Sequence, residues 1–227
     1  MYGYVKVGSA VPKLRVADCV YNKEEILKLV EAAAAKQVRV LSFPELSVTG
    51  YTCADLFFQT PLLHAAEQAI QEIAEATEAL NIFLLIGAPI AVDNQMFNCA
   101  VALYKGKLLG IVPKTHIPNY SEFYEERWFA SADDLLTEEI TYAGQNVPIG
   151  ADLIFAAADF PALKIGVEIC EDLWVPIPPS SYLSLYGATL LLNLSASNEL
   201  ASKPGYRRQL VSQQSARCLS AYVYTSA

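Results

Sequence analysis

The sequence is poor in histidine, in positive charge and in long apolar runs, and each shortage excludes something. Only His64 and His116 are present, so no His-rich metal site can form and a Cys–His catalytic pair has just two possible bases. Sixteen Lys and Arg stand against 24 Asp and Glu, a formal charge of −8. That balance argues against nucleic acid and anionic membranes as partners, since neither would be attracted. No apolar run approaches the ~20 residues needed to cross a bilayer. The opening MYGYVKVGSA lacks the basic segment and apolar core of a signal peptide. There is no CxxC pair and no G-x-x-x-x-G-K phosphate loop, so a zinc site and a nucleotide cradle of that type are not expected.

What is present is the material of a large globule. Hydrophobic residues make up 53% of the 227 positions and charged residues 18%, enough for a substantial core. The five cysteines, Cys19, Cys53, Cys99, Cys170 and Cys218, are odd in number and widely spaced, which suits a reducing cytoplasm.

Strand and helix patterns alternate. YVKVGSAV predicts a first strand, NKEEILKLVEAAAAKQ an amphipathic helix capped by Asn22, and VRVLSF a strand ended by Pro44. LLHAAEQAIQEIAEATEAL predicts a second helix with Ile70, Ile73 and Ala74 on one stripe, followed by the buried strand IFLLIGAP. FNCAVALYKGKLLGIVPK reads as a hairpin turning at Lys105-Gly106-Lys107. Residues 118–150 read as long loops with one short helix. LIFAAADFPALKIGVEIC gives a second strand-turn-strand, SYLSLYGA a short helix and TLLLNLSA a strand. A helix over 206–219 then leads into AYVYTSA. This alternation requires helices on a sheet face, the hairpins make the sheet mixed, and so many strands favour two stacked sheets. The chain ends in or just after a strand with no closing element, as expected of a piece of something longer.

Ligands in open α/β folds sit beyond the carboxyl ends of strands. Three such ends carry ionisable residues: LSFPEL delivers Glu45, GIVPK delivers Lys114, and GVEIC delivers Cys170. An acid, a base and a thiol at neighbouring strand ends are the parts of nucleophilic acyl transfer. Each has a plainer reading, as a turn acid, a solvated hairpin end and a small core residue. Cys170 sits among Glu168, Glu171 and Asp172, which disfavour a thiolate. A lysine ammonium ~4 Å from the sulfur would favour the anion by roughly 4 kcal/mol at an effective dielectric of about 20. EICED has no glycines beside the nucleophile, unlike a G-x-S-x-G elbow. An N-terminal cysteine amidotransferase would need Cys at position 2, where this sequence has Tyr2. His116 is the rival base; His64 reads as a helix-start surface residue.

Together, FPELSVTGYTCADLF, VPKTHIPNYSEFYEERWF and GVEICEDLW resemble the nitrilase (carbon–nitrogen hydrolase) superfamily with its Glu–Lys–Cys triad. Within it they look most like the glutaminase domains of glutamine-dependent NAD synthetases. The resemblance implies a four-layer α-β-β-α sandwich with two mixed β-sheets, spanning residues 1–227 and truncated at its C-terminal end. It implies that Cys170 attacks the side-chain amide of glutamine, with Glu45 as general base and Lys114 stabilising the oxyanion. Tyr51, Tyr120, Glu171, Trp174 and Ser197 fall where the family lines its glutamine pocket. Glu125 falls where a second glutamate bonds the lysine and the base. The partners implied are glutamine, a C-terminal synthetase domain and further copies in a homo-oligomer. No cofactor is implied for this domain; ATP and Mg belong to the synthetase domain. A stand-alone small ω-amidase and a non-catalytic assembly or regulatory module remain as rival readings.

Overall fold

The computed structural model describes residues 3–227. Helices α1 (Cys19–Ala35) and α2 (Thr60–Ala76) cover a five-stranded sheet of order β1-β2-β3-β4-β5. Its strands are β1 (Val7–Ser9), β2 (Val40–Ser42), β3 (Phe83–Val92), β4 (Gln95–Tyr104) and β5 (Lys107–Pro113). After the short hairpin β6 (Glu139–Tyr142) and β7 (Gln145–Pro148) comes the second sheet, of order β11-β10-β9-β8. It consists of β8 (Ile154–Ala156), β9 (Lys164–Ile169), β10 (Leu190–Ser195) and β11 (Ala221–Ser226), with helices α3 (Pro179–Leu185) and α4 (Lys203–Cys218) contributed by its crossovers.

Both sheets are mixed. β1, β2 and β3 run parallel while β3, β4 and β5 pair antiparallel. β9, β10 and β11 run parallel, with β8 antiparallel at the edge. The layers follow from the period-two alternation of strand side chains. Leu84, Ile86, Cys99, Val101 and Leu103 face α1 and α2. Leu85, Ala100 and Ala102 face the other way, onto Ile165, Val167, Leu192 and Leu194 of the second sheet. Leu191 packs outward on Leu183 of α3. Strands buried on both faces explain the near-continuous apolar runs.

Two details differ from expectation. Helix α1 starts earlier, capped by the Asp18 carboxylate, which accepts from Tyr21 N at 3.0 Å. Asn22 is instead buried inside it, bonded to both Arg15 backbone groups and to Val48 O. Within 118–150 the loops are real, but so is the β6–β7 hairpin. It turns at Ala143-Gly144, both at positive φ (50° and 71°), and buries Tyr142 and Val147. An alanine leading a turn of this kind is a weak signal beside Asn or Asp. Among the described residues no helix is long and apolar enough to cross a membrane.

The parallel strand ends meet at one rim, and a glycine lets one of their loops approach. The loop carrying Glu45 lies on β3, through Phe43 N to Leu85 O (2.9 Å) and Val48 N to Gly87 O (3.1 Å). A Cβ on Gly87 would stand 2.3 Å from Leu46 N and 2.6 Å from Pro44 O, both backbone atoms that cannot rotate away. Gly87→Ala should therefore cost about 1–3 kcal/mol through overpacking and displace Glu45. A lowered denaturant midpoint together with lost activity is the expected outcome; an unchanged midpoint would refute the close approach.

Candidate active site

Glu45, Lys114 and Cys170 each leave the end of a strand, from β2, β5 and β9 respectively. The first two meet directly. Lys114 Nζ lies 2.7 Å from Glu45 Oε1 and 2.9 and 2.8 Å from the two oxygens of Glu125. All three side chains are buried, Lys114 at 0% exposure and the glutamates at 1% each. Burial alone would push Lys114 down, but the two carboxylates outweigh it and hold the ammonium well above the ordinary lysine range. Burial pushes Glu125 up, with Lys114 pulling the other way. Glu45 also accepts from Asn98 Nδ2 at 2.7 Å and from Ala196 N at 2.9 Å. A carboxylate has about four acceptor directions, so three donors leave room for one more proton.

Cys170 opens a 3-10 turn (Cys170–Leu173) directly after β9, at φ 46°. A non-glycine residue in this left-handed region is strained, and here the strain produces a strand–cysteine–turn elbow without flanking glycines. The strained turn is held at several points. Cys170 N donates to Asn193 Oδ1 at 3.1 Å, and Ser195 Oγ donates to the sulfur at 3.2 Å. Burial is the largest influence on the thiol and pushes its pKa far up; Glu45 adds to this, while Lys114 and Ser195 oppose it. Lys114 thus favours the anion, as its charge requires, but its hydrogen bonds go to the two glutamates and burial dominates.

The three acids around Cys170 separate by direction. Glu168 points away from the cavity, accepting from Ser180 N at the start of α3 (2.8 Å) and from the Tyr222 hydroxyl. Asp172 links the Cys170 turn to the Lys114 loop, accepting from Ile169 N (2.9 Å), His116 N (2.7 Å) and Thr115 N (3.2 Å). Glu171 alone reaches the cavity, where Tyr120 donates to both its oxygens at 3.0 and 3.1 Å.

That cavity is about 410 Å³ and opens on Cys170, with Tyr120, Phe123, Glu171, Trp174, Ser197, Asn198, Lys203 and Tyr206 on its walls. Its size suits a small ligand. A larger open groove of about 1030 Å³ shares Tyr120 and Glu171 with it but touches none of Glu45, Lys114 and Cys170. The chemistry therefore points to the smaller space. Of the expected pocket residues, Tyr120, Glu171, Trp174 and Ser197 line it. Tyr51 does not; its hydroxyl donates to Glu125 Oε1 at 2.7 Å, so its contact is with the Lys114 cluster. His116 lines the groove and His64 is exposed, so the groups found at the lysine are the carboxylates Glu45 and Glu125. Among the described residues no three His, Cys, Asp or Glu side chains cluster as a metal site would require.

Sequence reasoning missed Asn98, Ser195 and Lys203. Lys203 begins α4, bonds Asn198 and lies 5.1 Å from the centre of the Trp174 ring. The helix expected over 206–219 starts three residues earlier, at the cavity, because Pro204 is tolerated in a first helical turn.

Comparison with known proteins gives the family and the fold. The family model for carbon-nitrogen hydrolases matches residues 7–227. Glutamine-dependent NAD(+) synthetases of Mycobacterium leprae and Mycobacterium tuberculosis are 40% and 38% identical, over 99% and 100% of this chain. The chain spans about a third (33%) of the length of these relatives. A solved glutamine-dependent NAD(+) synthetase from Cytophaga hutchinsonii superposes with a TM-score of 0.86 at 30% identity, over 98% of this chain and 36% of that one.

Asp172 offers a test of how the two loops are tied. Burial pushes its carboxyl from 3.8 up to about 8, against the pull of its N–H donors. A raised folded-state value means that the folded chain holds this proton more tightly than the unfolded one. Its stabilising contribution is complete below about pH 4 and is lost as pH rises through about 8. The thermal midpoint of the wild type should fall more across this window than that of Asp172→Asn, which cannot titrate. Parallel curves would refute the assignment.

Proposed function

The chain belongs to the carbon–nitrogen hydrolase family, and from that membership we propose that it hydrolyses the side-chain amide of glutamine as the glutaminase part of an NAD synthetase. The observation that carries this reading is a buried thiol beside a Glu–Lys couple, at the floor of a cavity whose wall bears the carboxylates Glu122 and Glu171 and the Lys203 ammonium. A zwitterionic amino acid needs both charges. Glu171 accepts from the α-ammonium, Lys203 pairs with the α-carboxylate, and Tyr120, Trp174 and Ser197 shape the space between.

In this reading Glu45 takes the Cys170 proton as the sulfur attacks the amide carbon. The oxyanion that forms faces the Lys114 ammonium, a contact of the kind typically worth about 3 kcal/mol in the transition state. Glu45 returns the proton to the departing nitrogen, the C–N bond breaks, and ammonia leaves a thioester. Water then enters, and Glu45 takes its proton as the water oxygen attacks the thioester carbon. The C–S bond breaks and Glu45 returns the proton to the leaving sulfur, giving glutamate and the free thiol. Glu125 and Tyr51 hold Lys114 in place. Released ammonia serves a C-terminal synthetase domain that amidates nicotinic acid adenine dinucleotide, where ATP and Mg are used; the glutaminase steps draw on neither. Five unpaired thiols suit the cytoplasm, and exposed Tyr182, Leu185 and Tyr186 at α3 offer an apolar face for a homo-oligomer.

A glutamine-mimicking diazoketone tests the assignment. The expected adduct is confined to Cys170 by mass spectrometry and is blocked by glutamine, and Glu45→Gln should abolish glutamate release while leaving the fold intact. Labelling spread over Cys19, Cys53 and Cys218 would count for a non-catalytic module. Lys203→Met should raise KM for glutamine by about 10- to 100-fold, as expected for losing a charged hydrogen bond. Its effect on a simple amide without a carboxylate should be slight; equal effects on both amides would remove Lys203 from the reading.

A further inference from the structure

Among the described residues, Ser195 supplies the hydroxyl that touches the reacting sulfur, although it belongs to none of the three motifs. It closes β10, next to the pair Leu194 and Ile169 in the parallel register with β9, so Ser195 and Cys170 leave adjacent strands side by side. Its side chain is fully buried and its Oγ lies 3.2 Å from Cys170 Sγ. Behind it, the Tyr224 hydroxyl of β11 stands 2.6 Å from the same Oγ. The sulfur therefore sits between two sheets of different chemistry, with the Lys114–Glu45 couple from the first and the Ser195–Tyr224 pair from the second.

Proton counting sets the direction of this chain. A serine hydroxyl has one proton to give. Burial, and then the charge that Cys170 would carry, push Tyr224 up, so the phenol keeps its proton and is a donor. Tyr224 donating to Ser195, and Ser195 to the sulfur, gives each proton an acceptor and leaves the thiol's own proton for Glu45. The Lys114 ammonium is already bonded to Glu45 and Glu125. It attracts a thiolate as a charge, whereas a directed donor must come from elsewhere.

We propose that Ser195 is a further catalytic residue, its hydroxyl polarised by Tyr224 and donating to the Cys170 thiolate formed when Glu45 takes the thiol proton. No proton changes owner at Ser195 or Tyr224; both hydroxyls donate throughout attack, thioester formation and release. This rests on Cys170 being the nucleophile.

The test reads the thiol directly, in the full-length protein. Alkylation of Cys170 by iodoacetamide, followed by peptide mass spectrometry across pH, should shift to higher pH in Ser195→Ala. The rate at neutral pH should fall about 10- to 100-fold, the range for losing a hydrogen bond to an ionised group. Tyr224→Phe should shift it in the same direction by less. In glutamine hydrolysis, kcat should drop while KM stays within about twofold. A Ser195→Ala profile superimposed on the wild type would overturn the proposal, whatever the activity. If Ser195→Ala does not fold, an unshifted Tyr224→Phe profile overturns it equally. Wild-type labelling that glutamine does not block would instead count against the glutaminase reading, leaving the Ser195 comparison intact.

Discussion

The structure depends on one buried charge, the Lys114 ammonium, shared between Glu45 and Glu125 where water does not reach. Isolated ions in such a place would cost several kcal/mol each, and the cluster persists because every member has charged or hydrogen-bonded partners. Breaking such an arrangement by removing one member typically costs about 3–5 kcal/mol. That cost ties together three segments distant in sequence, the loops after β2 and β5 and the turn at Glu125. It also fixes the resting chemistry. Burial, with Glu45 adding to it, outweighs the pull of Lys114 on the neighbouring thiol, which stays protonated. In the proposed mechanism the reaction therefore begins with proton transfer to Glu45 rather than with a standing thiolate.

The acids around Cys170 look like an obstacle to nucleophilic chemistry until their directions are known. Asp172 turns inward to three backbone N–H groups and holds the Cys170 turn against the Lys114 loop. Glu168 faces the start of α3 and Tyr222. Glu171 reaches the cavity, where a negative charge has a use if the ligand bears an ammonium. Three like residues within five positions thus have three separate tasks, set by which side of the strand or turn each leaves.

Much of this was legible in the residues. The stripe of Ile70, Ile73 and Ala74 is buried on α2, the hairpin turns at Lys105-Gly106, and Glu45 and Lys114 meet at a shared rim. What escaped had weak local signals. The β6–β7 hairpin turns on an alanine, Asp18 rather than Asn22 caps α1, and Tyr51 turned from the pocket to Glu125. Ser195 and Asn98 look like ordinary strand residues, because their importance comes from what stands opposite them on other strands.

The sequence by itself determined the alternation of strands and helices outside the β6–β7 hairpin, and which three strand ends carry an acid, a base and a thiol. These are local properties, set by side-chain periodicity and by the few residues that end a strand. Tertiary structure alone decided that the ammonium belongs to two glutamates, that the thiol rests protonated, and that Lys203 and Ser195 stand at the site. Each of those depends on burial and on distances between segments far apart in the chain, and electrostatic energy in a low-dielectric interior is set by those distances rather than by neighbours in sequence.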